Sequence, residues 1–116
     1  MVKNGKGAEP VVRLNDATFP DWAERRLPLT LVLVRSQACA QSLELEPMLA
    51  AAASRYSGRL RVATLDMDDS PETMKRHKVQ GVPTILLFRD GKQVAALPTC
   101  KVAVDELDAF IAKAEK

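Results

Sequence analysis

The run Leu29–Thr30–Leu31–Val32–Leu33–Val34 limits the fold more than any other part of this 116-residue chain. It is apolar everywhere except Thr30, so it lacks the wet/dry alternation of a half-exposed strand. Such a strand must be covered on both faces, which implies a sheet lying between helical layers. The run gives way at Arg35–Ser36–Gln37–Ala38–Cys39–Ala40–Gln41, mostly small and polar residues around one cysteine. A helical pattern over Ser42–Tyr56 comes next. A cysteine between a strand end and a helix start sits at the positive end of the helix dipole, which favours thiolate over thiol. Any chemistry the chain performs is expected here.

The remaining elements fall into place around that run. Residues 1–10, rich in Gly, Lys and Asn and ending in Pro10, read as a flexible arm; residues 11–116 read as one domain. Val11–Leu14 suits a short first strand. Asn15 or Asp16 can cap a helix running to about Arg26 that buries Phe19, Trp22 and Ala23, with Pro20 in its first turn and Pro28 ending the unit. In the next helix, Leu45, Met48, Leu49, Ala52 and Ala53 share a face as core residues, Pro47 lies inside, and Gly58 closes it. Arg59–Met67 reads as a strand; Ser70 then caps a short helix with Pro71 at its first position. Thr84–Phe88 and Gln93–Leu97 flank Asp90–Gly91, a hairpin signal. Val104, Leu107, Phe110 and Ile111 mark a last amphipathic helix. The order β-α-β-α-β-α-β-β-α makes an α/β chain, with about five strands in a mixed central sheet flanked by four helices.

Composition removes several function classes. The 17 basic and 15 acidic residues are interspersed, with five aromatics and no basic stripe, so no nucleic-acid partner is expected. No window approaches the roughly 18 apolar residues of a membrane span. The charged start has no apolar core behind it, so no export signal is visible and a cytoplasmic location is expected. One histidine and two distant cysteines fit no zinc spacing, and Asp66, Asp68 and Asp69 read as a capped turn rather than a metal site. No cofactor is expected. His77 reads as a surface residue at a helix end.

Five landmarks in register resemble the thioredoxin family over nearly the whole chain from Val11: Leu14–Phe19; Cys39 followed eight residues later by Pro47; Asp66–Pro71; Gly81–Val82–Pro83–Thr84; and Phe88–Gly91. The resemblance implies the thioredoxin fold and thiol–disulfide exchange with protein disulfides or thiols, glutathione being a further candidate partner, in a monomer. It also implies a cis Val82–Pro83 peptide bond facing Cys39. The backbone before that proline would pair with an extended substrate, and Leu97–Pro98–Thr99–Cys100 would form another wall of the groove.

The departures narrow the chemistry. The family motif is Cys-x-x-Cys, whereas this chain reads Cys39–Ala40–Gln41–Ser42. Arg35 and Ala38 stand where relatives usually carry tryptophans, and Leu33 takes the place of a buried aspartate that assists proton transfer. Cys39 is then the attacking thiol, and Ser42 is a hydrogen-bond donor that cannot replace a resolving thiol. Arg35, Ala38, Val82, Pro83 and Thr99 are the candidate substrate contacts, with the Arg35 charge further favouring the thiolate. Two alternatives remain open. One is an inactive module that binds peptides or proteins through the same groove; the other is an oxidoreductase that pairs Cys39 with Cys100, sixty-one residues away. A Cys39–Cys100 disulfide needs Cα atoms about 4.4–6.8 Å apart. Mass spectrometry of the intact protein after mild oxidation checks it. The pairing predicts an intramolecular loss of two hydrogens, and an unchanged mass excludes it.

Overall fold

Every residue of the strand Thr30–Arg35 is buried, and its side chains divide between two separate cores. Leu31 and Leu33 point to one face; Val32 and Val34 point to the other. The computed structural model describes residues 11–23, 29–36, 40–56, 60–98 and 103–115. The expected arm at residues 1–10 and the helix end near Arg26 lie outside them. Among the described residues the strands are β1 (Val12–Leu14), β2 (Thr30–Arg35), β3 (Arg61–Asp66), β4 (Thr84–Arg89) and β5 (Lys92–Pro98). The helices are α1 (Phe19–Ala23), α2 (Ala40–Arg55), α3 (Pro71–Arg76) and α4 (Val104–Glu115). The expected order of elements is the observed one.

The sheet runs β1-β3-β2-β4-β5, with β2 at its centre. β1 and β2 flank β3 in parallel, while β4 is antiparallel to both β2 and β5. Leu45, Leu49, Ala52 and Ala53 of α2 pack with Leu107 and Ile111 of α4 against Leu31, Leu33, Ile85 and Leu87. On the opposite face Phe19 and Met74, from α1 and α3, meet Val32, Val34, Leu86 and Phe88. Fully burying each such leucine or valine contributes about 1.5–3 kcal/mol, so the covered central strand anchors both layers. The β4–β5 turn has Asp90 at φ 52° and Gly91 at φ 84°, the two positive values of a tight hairpin. A register shift beside Leu87 and Phe88 places Val94, half exposed, in a bulge on the edge strand.

Local chemistry at the helix ends differs from the sequence expectation. A 3-10 turn, Met67–Asp69, intervenes between β3 and α3, so the strand ends one residue earlier than its pattern suggests. Ser70 holds the N-cap position of α3, but its side chain makes no capping bond and is buried without a hydrogen-bond partner. The carboxylate of Asp16, from the β1–α1 connection, caps that helix instead. It accepts from the backbone N–H of Thr73 at 2.8 Å and of Glu72 at 3.2 Å, and from the Thr73 hydroxyl at 2.8 Å. Asn15 serves α1, its side-chain oxygen accepting from Ala17 and Thr18. At the other end of α3, Lys78 adopts φ 56° and Val79 N–H donates to the Met74 carbonyl. That left-handed cap stops the helix and turns the chain towards 79–83.

Asp16 therefore ties the start of one layer helix to another, fifty-seven residues on from Asp16 to Thr73. Burial would raise its pKa, but the bonds from Thr73 and Glu72 and the Arg76 charge outweigh it, leaving the carboxyl below its usual 3.8. Because the unfolded chain takes up this proton first, the stabilisation is complete above that usual value. It is lost as pH falls through the lower folded-state value. Asp16→Ala is expected to cost about 0.5–2 kcal/mol at neutral pH. Urea titrations from pH 7 to 3 should show the difference between wild type and variant shrinking only at the acid end.

Candidate functional site

The centre of the sheet delivers the site. β2 ends at Arg35, Ser36 is still buried, and α2 begins at Ala40. Cys39 is thus the residue immediately before a 16-residue helix with no acidic side chain in its first turn. Nothing acidic in that turn offsets the positive end of the dipole. Ser42 falls in the opening turn of α2. Cys39, Ala38, Thr99 and Cys100 lie outside the described residues, as does the expected Cys39–Cys100 pairing.

Arg35 does not stand in an open groove. It is 4% exposed and pairs with two carboxylates. Its Nε donates to Asp66 Oδ1 at 2.7 Å, and a terminal nitrogen donates to Glu46 Oε1. Asp66 is its register partner on β3, equally buried, while Glu46 projects from α2 with its side chain 36% exposed. The guanidinium is a buried clamp joining β2, β3 and α2, its charge matched by two carboxylates. The physical reason is that a charge leaving water at a strand end must be paired, and the parallel β2–β3 register supplies Asp66 there. Leu33, at the place of the family's buried aspartate, is 0% exposed among core leucines.

A second feature lies beside β4. Residues 77–84 wall a cleft of about 560 Å³ floored by Leu86, Ala96 and Pro98. The Val82–Pro83 peptide bond on this wall is cis, with Pro83 buried and Val82 partly so. Thr84 Oγ1 donates to the Gly81 carbonyl at 2.8 Å, holding the turn closed on itself. His77 is not a bare surface residue. Its ring packs 5.3 Å from Phe19 and 5.2 Å from Phe88, and Nδ1 lies 3.1 Å from Gln93 Oε1. No sequence signal joined His77 to Phe19, because α3 and α1 meet only across the sheet face. Among the described residues no group of three or more His, Cys, Asp or Glu could hold a metal ion, and no helix is long and apolar enough to cross a membrane.

Comparison with known proteins agrees with this architecture. The family model named Thioredoxin matches residues 10–113. The chain is 30% identical over 104 residues to a thioredoxin of Pseudomonas aeruginosa, covering 90% of this chain and 95% of that protein. It is 31% identical over 85 residues to a thioredoxin of Thiocapsa roseopersicina, covering 73% and 93% respectively. Among solved structures, a single-residue variant of thioredoxin from Halobacterium salinarum superposes with a TM-score of 0.82 at 25% identity. The match covers 97% of this chain and 96% of that one.

Removing Arg35 would take the guanidinium away from the buried Asp66 carboxylate and free Glu46. Arg35→Met is expected to lose about 3–5 kcal/mol, whereas breaking only the half-exposed arm with Glu46→Gln should lose about 1 kcal/mol or less. Urea unfolding of the two variants measures the gap.

Proposed function

The chain belongs to the thioredoxin family of redox proteins, and on that footing we propose that it acts in thiol–disulfide exchange through the single thiol of Cys39. The Cys39 thiolate attacks one sulfur of a substrate disulfide. The substrate S–S bond breaks, a Cys39–substrate disulfide forms, and the second substrate sulfur leaves as a thiolate that takes a proton from solvent. Ser42 can donate a hydrogen bond to the attacking sulfur but cannot expel the substrate, since an alcohol is not a thiol nucleophile at neutral pH. A second thiol, from glutathione or another protein, then attacks the mixed disulfide. The Cys39–substrate bond breaks, a disulfide forms between that thiol and the substrate sulfur, and Cys39 leaves as a thiolate. An extended substrate would lie along Val82–Pro83, with Ala38 and Thr99 as further contacts. On this reading the chemistry belongs to a monomer in the cytoplasm.

The observation that carries the reading is the position of Cys39, directly before α2 in a chain whose sheet and helices follow the family order. Leu33 favours a second reading, a binding module that has lost redox turnover. It is sealed in the core with no carboxylate in place of the family's proton carrier.

Two measurements separate these readings. Exchange chemistry predicts that Cys39 alkylation follows a pKa below the free-thiol value of about 8.5. It also predicts slow insulin reduction that rises at least about tenfold in Ser42→Cys, since only the resolving step was missing. An ordinary thiol profile, with no gain from the second cysteine, establishes the module.

A further inference from the structure

The cleft walled by residues 77–84 uses the face of β5 that the helices leave open. Ala95 and Leu97 pack against the α2–α4 core, whereas Ala96 and Pro98 face the other way and are exposed. Among the described residues, none from β5 joins the α1–α3 core. At one end of the cleft His77 meets Gln93, the register partner of Phe88; at the other lie Pro83 and Pro98, the latter paired with Thr84. The step from Thr84 to Phe88 spans about 13 Å, the length of about four residues of extended chain. Charge is unevenly placed around this cleft. Residues 73–104 carry six lysines and arginines against one carboxylate, Asp90, although the whole chain has 17 basic and 15 acidic residues. Asp90 lies in the hairpin, at the far end of β5 from Pro98. None of the residues lining the cleft is acidic, and Lys78 is among them. Arg76 and Arg89 are engaged within the molecule, Arg76 near the Asp16 carboxylate. Lys75, Lys78 and Lys92 are exposed and enter none of the ion pairs among the described residues.

Resting on the reading that a substrate segment lies along Val82–Pro83, we propose that this cleft selects an acidic, extended polypeptide segment. Its apolar side chains sit on the floor of Leu86, Ala96 and Pro98, and the alternate side chains are carboxylates that meet Lys78 at the rim. The two-residue period of extended chain supplies this geometry, since one set of side chains faces the floor and the other faces away from it. With no carboxylate beside it in the cleft, the Lys78 ammonium gives up only water when a partner's carboxylate arrives. A nucleic acid is the poorer fit. Single strands bind by stacking bases on open aromatic faces, and the only ring among the lining residues other than proline is that of His77, packed against Phe19 and Phe88.

The probes are short fluorescein-labelled peptides without cysteine, in which valine alternates with glutamate, glutamine or lysine. Fluorescence anisotropy with the full-length protein reads their binding directly. An ordinary Cys39 thiol therefore counts against the exchange reading alone and leaves this test intact. The glutamate peptide should bind most tightly, the glutamine peptide less so and the lysine peptide least, with the differences shrinking as salt is raised. Lys78→Asn should weaken the glutamate peptide about two- to fivefold and leave the glutamine peptide unchanged. Asparagine tolerates the left-handed backbone at this position, so the cap of α3 is kept. Ala96→Glu, which puts a carboxylate on the exposed floor, should weaken the glutamate peptide more than the glutamine peptide. Equal affinity for the three peptides, no measurable binding, or an unchanged glutamate affinity in Lys78→Asn overturns the proposal. An oligothymidylate that binds as tightly as the glutamate peptide overturns it too, since the cleft would then read charge alone. Should Lys78→Asn fail to fold, the ranking of the three peptides and the Ala96→Glu variant decide.

Discussion

The burial of β2 from both sides holds the molecule together. Leu31 and Leu33 anchor the α2–α4 layer, while Val32 and Val34 anchor the α1–α3 layer. Both layers therefore close on one six-residue strand. The placement of its neighbours is a consequence. β3 lies parallel on one side because a helix connects the two strands, and β4 lies antiparallel on the other. A chain that buries its central strand this way brings the strand's carboxyl end out between the helical layers, at one end of the sheet.

That carboxyl end carries a charge here rather than a large aromatic. Arg35 continues the buried pattern of β2, and burying a guanidinium is unfavourable unless its donors are matched. Asp66 and Glu46 provide the match from β3 and α2. A cluster of this kind adds little net stability compared with well-packed apolar residues, yet losing one partner is strongly unfavourable. Its effect is to hold three elements in fixed relation where β2 ends and α2 follows. Leu33, two residues earlier, completes the change: where relatives keep a buried acid, this chain has a core side chain. Among the described residues, the buried carboxylate beside this strand end is Asp66, at the end of β3.

On the opposite face the aromatic contacts of His77 and the Asp16 cap serve a related end. They join α1 to α3 and so support the segment that leads into the cis Val82–Pro83 bond and the cleft beside it. The left-handed cap at Lys78 sets the direction of that segment. The two sides of the site, the end of β2 and the start of β4, are adjacent because these strands pair antiparallel, bringing Val34 opposite Thr84.

The order of elements, the sheet between helical layers, the Asp90–Gly91 hairpin and the family were all legible in the sequence. They rest on local signals: hydrophobic period, turn residues and landmark spacing act within a few residues of one another. Three features emerged only when the chain was folded. Arg35 turns inward to Asp66 and Glu46, Asp16 rather than Ser70 caps α3, and His77 is wedged against Phe19 and Phe88. Each of those is a pairing across strands or layers, between residues eleven to fifty-eight positions apart. A charged or polar residue has many possible partners at such distances, and only register and packing select among them.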